Sequence, residues 1–420
     1  MTKFPLQTRR CFIQSTTEAA LLASAFPFVS RAKVLGANDR IGIGFIGVGL
    51  RGATHVAVVQ KLIQEGENLH IAASTDAYRY RLDETVKAAG GNSWRRDVEL
   101  LADPTVDVVC IATPDRHHMP QGLLAIRAGK DVYCEKPMSH WTQFDLARQF
   151  CDEAERHGRV VQIGDQGNSS PGWAKVGELF RNGAIGRLEH IRAGYYRRGD
   201  FAERMPIPDP EAKPGPDLDW EAFLGDAPKV PFTVERFFSW RRYLDYAGGP
   251  CTDLLPHVFT PFVCALGLDF PESAAAVGGI YKFTTYDREV PDTFDTSLAY
   301  PGKYNVSLTA TLANDYVTEP AIRGDEGTMT FQNAGGWESG FDSLTIIPPS
   351  GAARVVPGKW GDPTPEHWKN FIHCVRTRER PVSNARDFLK VQAALNMSML
   401  SYRHGKIARF DAGKRKIIGV

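Results

Sequence analysis

The sequence predicts a doubly wound, parallel α/β domain followed by a domain built on an antiparallel sheet. Between Ile41 and about Val160, short apolar runs alternate with stretches of helical spacing, as in a parallel sheet with crossover helices. Beyond that point, strand-like runs follow one another without helices between them, the habit of antiparallel strands. The chain has 420 residues, 43% apolar and 24% charged, enough for about two or three globular domains with a real core.

The elements follow in order. Ile41-Gly42-Ile43-Gly44-Phe45-Ile46 is an apolar run ending at Gly47, expected as a buried strand. Helical spacing from Ala53 to Glu65 leads to a second strand, His70 to Ser74, and a helix near Arg79 to Ala89. The β-branched run from Val106 to Ala112 predicts the third strand, with a helix near Pro120 to Ala128. Asp131 to Cys134 is the fourth, followed by a helix through Phe144 to His157. Past Val160 the segment Arg204 to Phe232 carries seven prolines, too many for regular structure. Strands are expected at Ala275 to Phe283, Thr293 to Ala299, Asn305 to Leu312 and Gly327 to Phe331. Helices over Glu366 to Arg376 and Ala385 to Tyr402 close the chain.

Composition excludes several classes. Lys plus Arg is 50 and Asp plus Glu is 49, a net charge of +1, so no nucleic acid or anionic membrane partner is indicated. No apolar run approaches the ~18–20 residues of a membrane span. The most apolar early stretch, Ala19 to Val29, is shorter and contains Pro27. Seven scattered cysteines (Cys11, Cys110, Cys134, Cys151, Cys251, Cys264 and Cys374) include no CxxC and read as small buried hydrophobes. Thr8-Arg9-Arg10-Cys11-Phe12-Ile13-Gln14 precedes a short apolar stretch and resembles a twin-arginine (Tat) export signal. Residues 1–35 are therefore expected to be a signal segment. The protein is then periplasmic or otherwise extracytoplasmic, with the Tat machinery as a partner; without the signal it is cytoplasmic.

Gly47-Val48-Gly49-Leu50-Arg51-Gly52 is a GxGxxG sequence between a strand and a helix. Its glycines permit the tight turn and let backbone approach a pyrophosphate at the helix N-terminus. Asp76 stands at the end of the second strand, where a carboxylate binds ribose hydroxyls and repels a 2′-phosphate. NAD is favoured over NADP, which Arg79 and Arg81 nearby keep open. The third strand ends in Ala112-Thr113-Pro114-Asp115-Arg116-His117-His118, beside the cofactor crevice. Packing or nicotinamide-side contacts are expected there, not a metal, since adjacent histidines seldom converge and no third ligand lies near. The fourth strand ends in Cys134-Glu135-Lys136-Pro137. At that rim the Lys136 ammonium can bind a substrate hydroxyl and favour its ionised form. In Tyr246-Ala247-Gly248-Gly249-Pro250-Cys251-Thr252-Asp253-Leu254-Leu255-Pro256-His257, a helix would place Asp253 and His257 one turn apart, although Pro256 opposes regularity. A neutral imidazole there can take a hydroxyl proton while the carboxylate orients it.

Together the fingerprint GFIGVGLRG, Asp76, the ATPDRHH loop, the EKP tripeptide and the GG-x-x-x-D-x-x-x-H segment resemble the glucose–fructose oxidoreductase, inositol dehydrogenase and MocA (Gfo/Idh/MocA) family, from about Asn38 to the end. VLGANDRI after the leader looks like the exported bacterial branch. The resemblance implies an NAD(P)-binding Rossmann domain over 38–160 and a substrate and oligomerisation domain over 161–420. The second domain would carry a large, open, mostly antiparallel sheet, with the active site between the two. It implies Lys136, Asp253 and His257 as the polar triad around the reacting hydroxyl, with His257 the acid/base. Cofactor contacts would come from Gly47, Gly49, Leu50, Arg51, Gly52, Asp76, Thr113, Pro114, His117, Glu135 and Lys136. Thr260 stands where members often carry Asp. The implied activity is NAD(P)-dependent hydride transfer at a secondary hydroxyl of a sugar, polyol or glycoside, in a homo-oligomer; export, with no soluble NAD pool outside the cytoplasm, would further call for a tightly bound cofactor. Redox-neutral glycoside cleavage through a transient keto-sugar, and non-catalytic sugar or nucleotide binding, are the alternatives. Trp240, Tyr243 and Tyr246 stack on a sugar ring or pack in the core.

Overall fold

Why the first domain folds is plain in its strands: Ile41–Ile46 (β1) is buried at every position, as a central parallel strand covered on both faces must be. The computed structural model describes residues 40–300, 302–332 and 340–419; the expected signal segment and Cys11 lie outside them. With Leu69–Thr75 (β2), Asn92–Trp94 (β3), Val108–Ile111 (β4), Asp131–Glu135 (β5) and Val161–Gly164 (β6), β1 forms a six-stranded parallel sheet in the order β3-β2-β1-β4-β5-β6. The chain reverses direction across the sheet between β1 and β4, and that switch point opens a crevice at the strand ends. The parallel sheet runs to Gly164, beyond Val160.

Helices Leu50–Gln64 (α1), Arg79–Ala89 (α2), Asp97–Ala102 (α3), Asp115–Arg127 (α4) and Phe144–Arg156 (α5) connect the strands. Two start earlier than the periodicity alone suggests. Gly49 caps α1 in an extended conformation, and Pro114 caps α4, where its fixed φ suits the turn into the helix. β3 and α3 had no sequence signal, being three exposed or half-buried residues and one six-residue turn.

The second sheet has ten strands in the order β14-β13-β12-β11-β7-β10-β9-β8-β15-β16. They are Leu188–Tyr196 (β7), Ser273–Gly279 (β8), Thr293–Tyr300 (β9), Tyr304–Thr311 (β10), Ala321–Gly324 (β11), Gly327–Gln332 (β12), Gly340–Ile347 (β13), Arg354–Trp360 (β14), Ala408–Asp411 (β15) and Lys416–Ile418 (β16). All neighbours run antiparallel except β7 and β10, so the expected fold class is the one the structure has. β8 stops at Gly279, short of Phe283, where the Gly278-Gly279 pair ends the strand. Helices Pro171–Arg181 (α6), Leu255–Leu266 (α7), Thr364–Thr377 (α8) and Ala385–His404 (α9) belong to the same domain. Buried residues of α7 and α9 join those of β8, β9 and β10 in one core that continues into the first domain.

The proline-rich segment is irregular apart from one turn, Trp220–Leu224, and it is a strap. Tyr78 and Leu218 form an isolated bridge, and Asp219 N donates to Ala77 O at 2.9 Å while Arg79 N donates to Asp217 O at 2.8 Å. Tyr78, Trp220, Phe223, Phe237, Tyr243 and Tyr246 bury one another beneath it. Tyr243 and Tyr246 are thereby core residues, fully buried. No described helix is long and apolar enough to cross a membrane.

Candidate active site

The glycine loop after β1 is shaped by three separate constraints. Gly47 has φ +84° and its missing Cβ would press on Thr113. A Cβ on Gly52 would lie 2.1 Å from Gly47 O, so α1 can approach the loop only without a side chain. Gly49 meets nothing closer than Arg81 at 3.4 Å, leaving its backbone open toward the crevice at the N-terminus of α1. Asp76 accepts from Val48 N and from Tyr78 N, each at 2.8 Å, which ties the end of β2 to the glycine loop. Burial raises its carboxyl, against the pull of Arg81 and the two N–H donors.

These groups line a cleft of about 530 Å3 with Gly47, Gly49, Leu50, Arg51, Asp76, Thr113, Pro114 and His117 on its first-domain side. Phe223, Phe237, Phe238, Trp240 and Arg241, from the strap and the segment after it, close the other side. An open glycine cradle, a carboxylate at the end of β2 and an apolar wall suit a dinucleotide. Gly52 supports Gly47 from below and does not line the cleft. His117 lines it, but its Nε2 faces Phe223 O at 2.6 Å, a contact with the strap. His118 lies between Pro137 O at 2.7 Å and Thr113 O at 2.8 Å, bracing the ends of β4 and β5. Among the described residues no cluster of three or more His, Cys, Asp or Glu could hold a metal.

A second pocket, about 220 Å3, adjoins this cleft and shares Arg51, Ala112, Thr113, Trp240 and Arg241 with it. It brings together Glu135, Lys136, Asp253 and His257. Lys136 Nζ donates to Asp253 O at 2.7 Å and to its Oδ1 at 3.3 Å. Arg241 Nε also donates to Oδ1, at 3.3 Å, and Arg197 lies 3.8 Å from Oδ2. Burial would raise the Asp253 carboxyl, but these three cations hold it well below the usual carboxylate range. The backbone between Asp253 and His257 is no continuous helix. A turn, Pro250–Asp253, ends at Leu254 and α7 begins at Leu255, with Pro256 in its first turn.

Glu135 lines the smaller pocket and anchors a buried network absent from the sequence reading. It takes contacts from His55 Nε2 at 2.7 Å, Gln166 Nε2 at 2.8 Å and Arg51 Nε at 3.2 Å. Trp368 Nε1 donates to His55 Nδ1 at 3.0 Å. An indole N–H can only donate, so Nδ1 accepts and Nε2–H is what Glu135 receives. Burial would raise Glu135, and Arg51 with His55 overcomes it, placing the carboxyl well below its ordinary range. Asp115, at the first turn of α4, is the opposite case: burial, with Asp253 adding to it, pushes its carboxyl up to about 7.

Sequence reasoning also passed over Asp165, which faces His257 Nδ1 at 3.2 Å. Its partner is 92 residues distant in the chain, so no local spacing marks it. Thr260 turns away from the pocket; it is buried and its hydroxyl donates to Pro256 O at 2.8 Å. Of the three aromatic residues, Trp240 alone lines the pocket, with the Arg241 guanidinium 4.2 Å from its ring centroid.

Residues 41–165 match the profile of the Gfo/Idh/MocA group, described as an oxidoreductase family with an NAD-binding Rossmann fold. An inositol 2-dehydrogenase of Saccharopolyspora erythraea is 32% identical over 162 residues, 37% of this chain and 46% of that one. A trans-1,2-dihydrobenzene-1,2-diol dehydrogenase of Mus musculus is 26% identical over 234 residues, 56% of this chain and 57% of that one. The chain spans about half the length of the curated relatives it matches. A levoglucosan dehydrogenase solved with NADH and levoglucosan shares the fold at TM-score 0.66 and 19% identity, over 90% of this chain and 99% of that one. An aldose–aldose oxidoreductase of Caulobacter crescentus solved with glycerol does so at TM-score 0.67 and 19% identity, over 89% and 100%. Residues 41–165 thus match the NAD-binding Rossmann fold of the Gfo/Idh/MocA oxidoreductases, and the chain as a whole shares its fold with these solved structures.

Proposed function

We propose that this protein transfers hydride between NAD(H) and a secondary hydroxyl of a sugar, polyol or glycoside. One observation carries the proposal: Lys136, Asp253 and His257 converge on a pocket that opens into the dinucleotide cleft. Bound NAD would supply the hydride acceptor. Lys136 would donate to the reacting oxygen and stabilise its charge as the alkoxide develops. His257 would take the hydroxyl proton in oxidation and return it in reduction. Asp253, ionised and held by three cations, keeps the lysine ammonium at the pocket wall. The inositol and levoglucosan dehydrogenases among the relatives and fold neighbours support a carbohydrate substrate. Lys136→Ala and His257→Asn should each lower kcat by roughly 10²–10⁴ while leaving NADH binding intact. Full activity in Lys136→Ala would overturn the proposal, and nucleotide binding without turnover of any sugar or polyol would favour a binding protein.

A retained cofactor is favoured by the strap. It holds the first domain through Tyr78–Asp209 at 2.6 Å, Arg95–Pro216 at 2.9 Å and Arg116–Asp226 at 2.7 Å, and residues on it wall the nucleotide cleft. Release would require those contacts to open. Such retention suits a redox-neutral cycle, whether hydride exchange between two sugars or glycoside cleavage through a transient ketone. It also suits the export that we propose from residues 1–35, since a soluble NAD pool is lacking outside the cytoplasm. We further propose a homo-oligomer, testable by light scattering. Nucleotide that elutes with the protein through gel filtration supports retention; a cleft emptied by that step argues against it.

A further inference from the structure

His257 has two carboxylates near its ring, and they are not equivalent. Asp253, on the turn before it, is occupied by Lys136 at 3.3 Å, Arg241 at 3.3 Å and Arg197 at 3.8 Å. Asp165 comes from the first domain, the first residue beyond β6, and its Oδ1 lies 3.2 Å from His257 Nδ1. The Asp165 side chain is completely buried, and among the described residues its Oδ2 has no hydrogen-bond partner. Burying a carboxylate in this way costs several kcal/mol unless a charge or strong donor compensates. A neutral side chain would fill the position at lower cost, so packing alone does not account for an acid there.

The position follows the logic of the sheet. Gly47, Thr113 and Lys136 sit at or just past the ends of β1, β4 and β5, and Asp165 is their counterpart at the end of β6. It is also held firmly. Gln166, the next residue, donates to Glu135 at 2.8 Å and to the Tyr133 hydroxyl at 2.7 Å, while Asn168 donates to Asp165 O at 3.2 Å. On the other side the Tyr195 ring packs 6.0 Å from the imidazole, centroid to centroid.

We propose that Asp165 is the positioning residue for proton transfer: it accepts from Nδ1–H of His257, fixes that tautomer, and leaves the Nε2 lone pair for the substrate hydroxyl. His257 lines the pocket, and among the described residues its Nε2 has no protein partner. In oxidation the carbon-bound hydrogen would go with its electron pair to bound NAD, and His257 Nε2 would take the hydroxyl proton. The Nδ1 proton stays in place, and the imidazolium faces the Asp165 carboxylate until Nε2 releases its proton. The roles of the two acids thus separate, Asp253 serving Lys136 and Asp165 serving His257. The assignment rests on the hydride-transfer reading above.

Asp165→Asn in the nucleotide-loaded protein tests it. The amide can turn an N–H toward Nδ1 and favour the Nε2–H tautomer, which cannot act as the base. We expect kcat to fall by about 10- to 1,000-fold, with the nucleotide occupancy of the protein unchanged. Nitrogen-15 NMR of histidine-labelled protein should show His257 as the Nδ1–H tautomer in the wild type and not in Asp165→Asn, with His257→Gln assigning the signal. The double variant should be no slower than His257→Gln, because the two residues act as a unit. Wild-type kcat in Asp165→Asn, an unchanged tautomer, or additive losses would each overturn the proposal. Should the Asn variant not fold, Asp165→Ser leaves space for formate, which should restore activity; no restoration counts against it. The tautomer requires no turnover, so a protein inactive on every sugar but showing the tautomer change would sink the hydride-transfer reading alone.

Discussion

At Glu135, donor chemistry settles the protonation states around the strand-end rim. The Trp368 indole can only donate, so the neutral His55 ring presents Nε2–H to an ionised carboxylate. Arg51 shares that carboxylate and lines both pockets. Arg51→Met leaves the acid buried beside a neutral imidazole, and we expect a loss of roughly 3 kcal/mol. That is the low end for an unpaired buried charge, because Arg51 is one-third exposed. Denaturant unfolding at pH 7 measures it, and adding Glu135→Gln to Arg51→Met should recover most of the loss. Asp115 behaves in the opposite sense. Its folded-state carboxyl titrates near 7, raised by burial, so its contribution to stability is full below the ordinary carboxyl range and is lost as pH rises through about 7. Asp115→Asn should therefore melt about 2–5 °C higher than wild type at pH 8, with the gap closing toward pH 5. An equal gap at both pH values would contradict this assignment.

At the scale of elements, the glycine loop and α1 form one rigid unit. Gly52→Ala places a methyl against Gly47 O, backbone that cannot rotate away, so α1 must move and the turn that faces the pyrophosphate opens. NADH affinity, followed by fluorescence titration, should fall at least about tenfold, the effect of more than 1.4 kcal/mol. Elements with one continuous signal were legible in the sequence. β1 and β5 are unbroken buried runs, and the glycine fingerprint sits where a strand must pass into a helix. β14 was not, because Pro357 and Gly358 break its pattern. Nor was β7, whose Leu188, Ile191 and Ala193 face the core among His, Arg and Glu. Asp253 and His257 were legible as a pair, and Pro256 marked the helix between them as irregular; the structure breaks it at Leu254, and both residues still reach the pocket. The Glu135–His55–Trp368 network and Asp165 lay beyond sequence reasoning because His55 and Glu135 are 80 residues apart in the chain, and Trp368 and His257 reach His55 and Asp165 only when the two domains pack.

For the whole molecule, the strap explains how two sheets become one site. Its seven prolines announced irregular chain, but where that chain lies depends on long-range contacts such as Tyr78–Asp209 and Arg116–Asp226. Tyr78→Phe with Arg116→Ala removes two of them without touching the Lys136 pocket. Nucleotide dissociation, measured by stopped-flow displacement, should accelerate at least about fivefold, as expected when about 1 kcal/mol of closure is lost. An unchanged rate would mean that the strap does not hold the cofactor. The most direct test of hydride transfer is a single-turnover experiment on NAD-loaded protein, following the near-ultraviolet absorbance of reduced nicotinamide across a panel of polyols, sugars and glycosides. The account predicts reduction of bound NAD by at least one of them in the wild type, and its loss in Lys136→Ala at equal nucleotide occupancy. Reduction at the wild-type rate in Lys136→Ala, or a protein that binds no NAD, would contradict it.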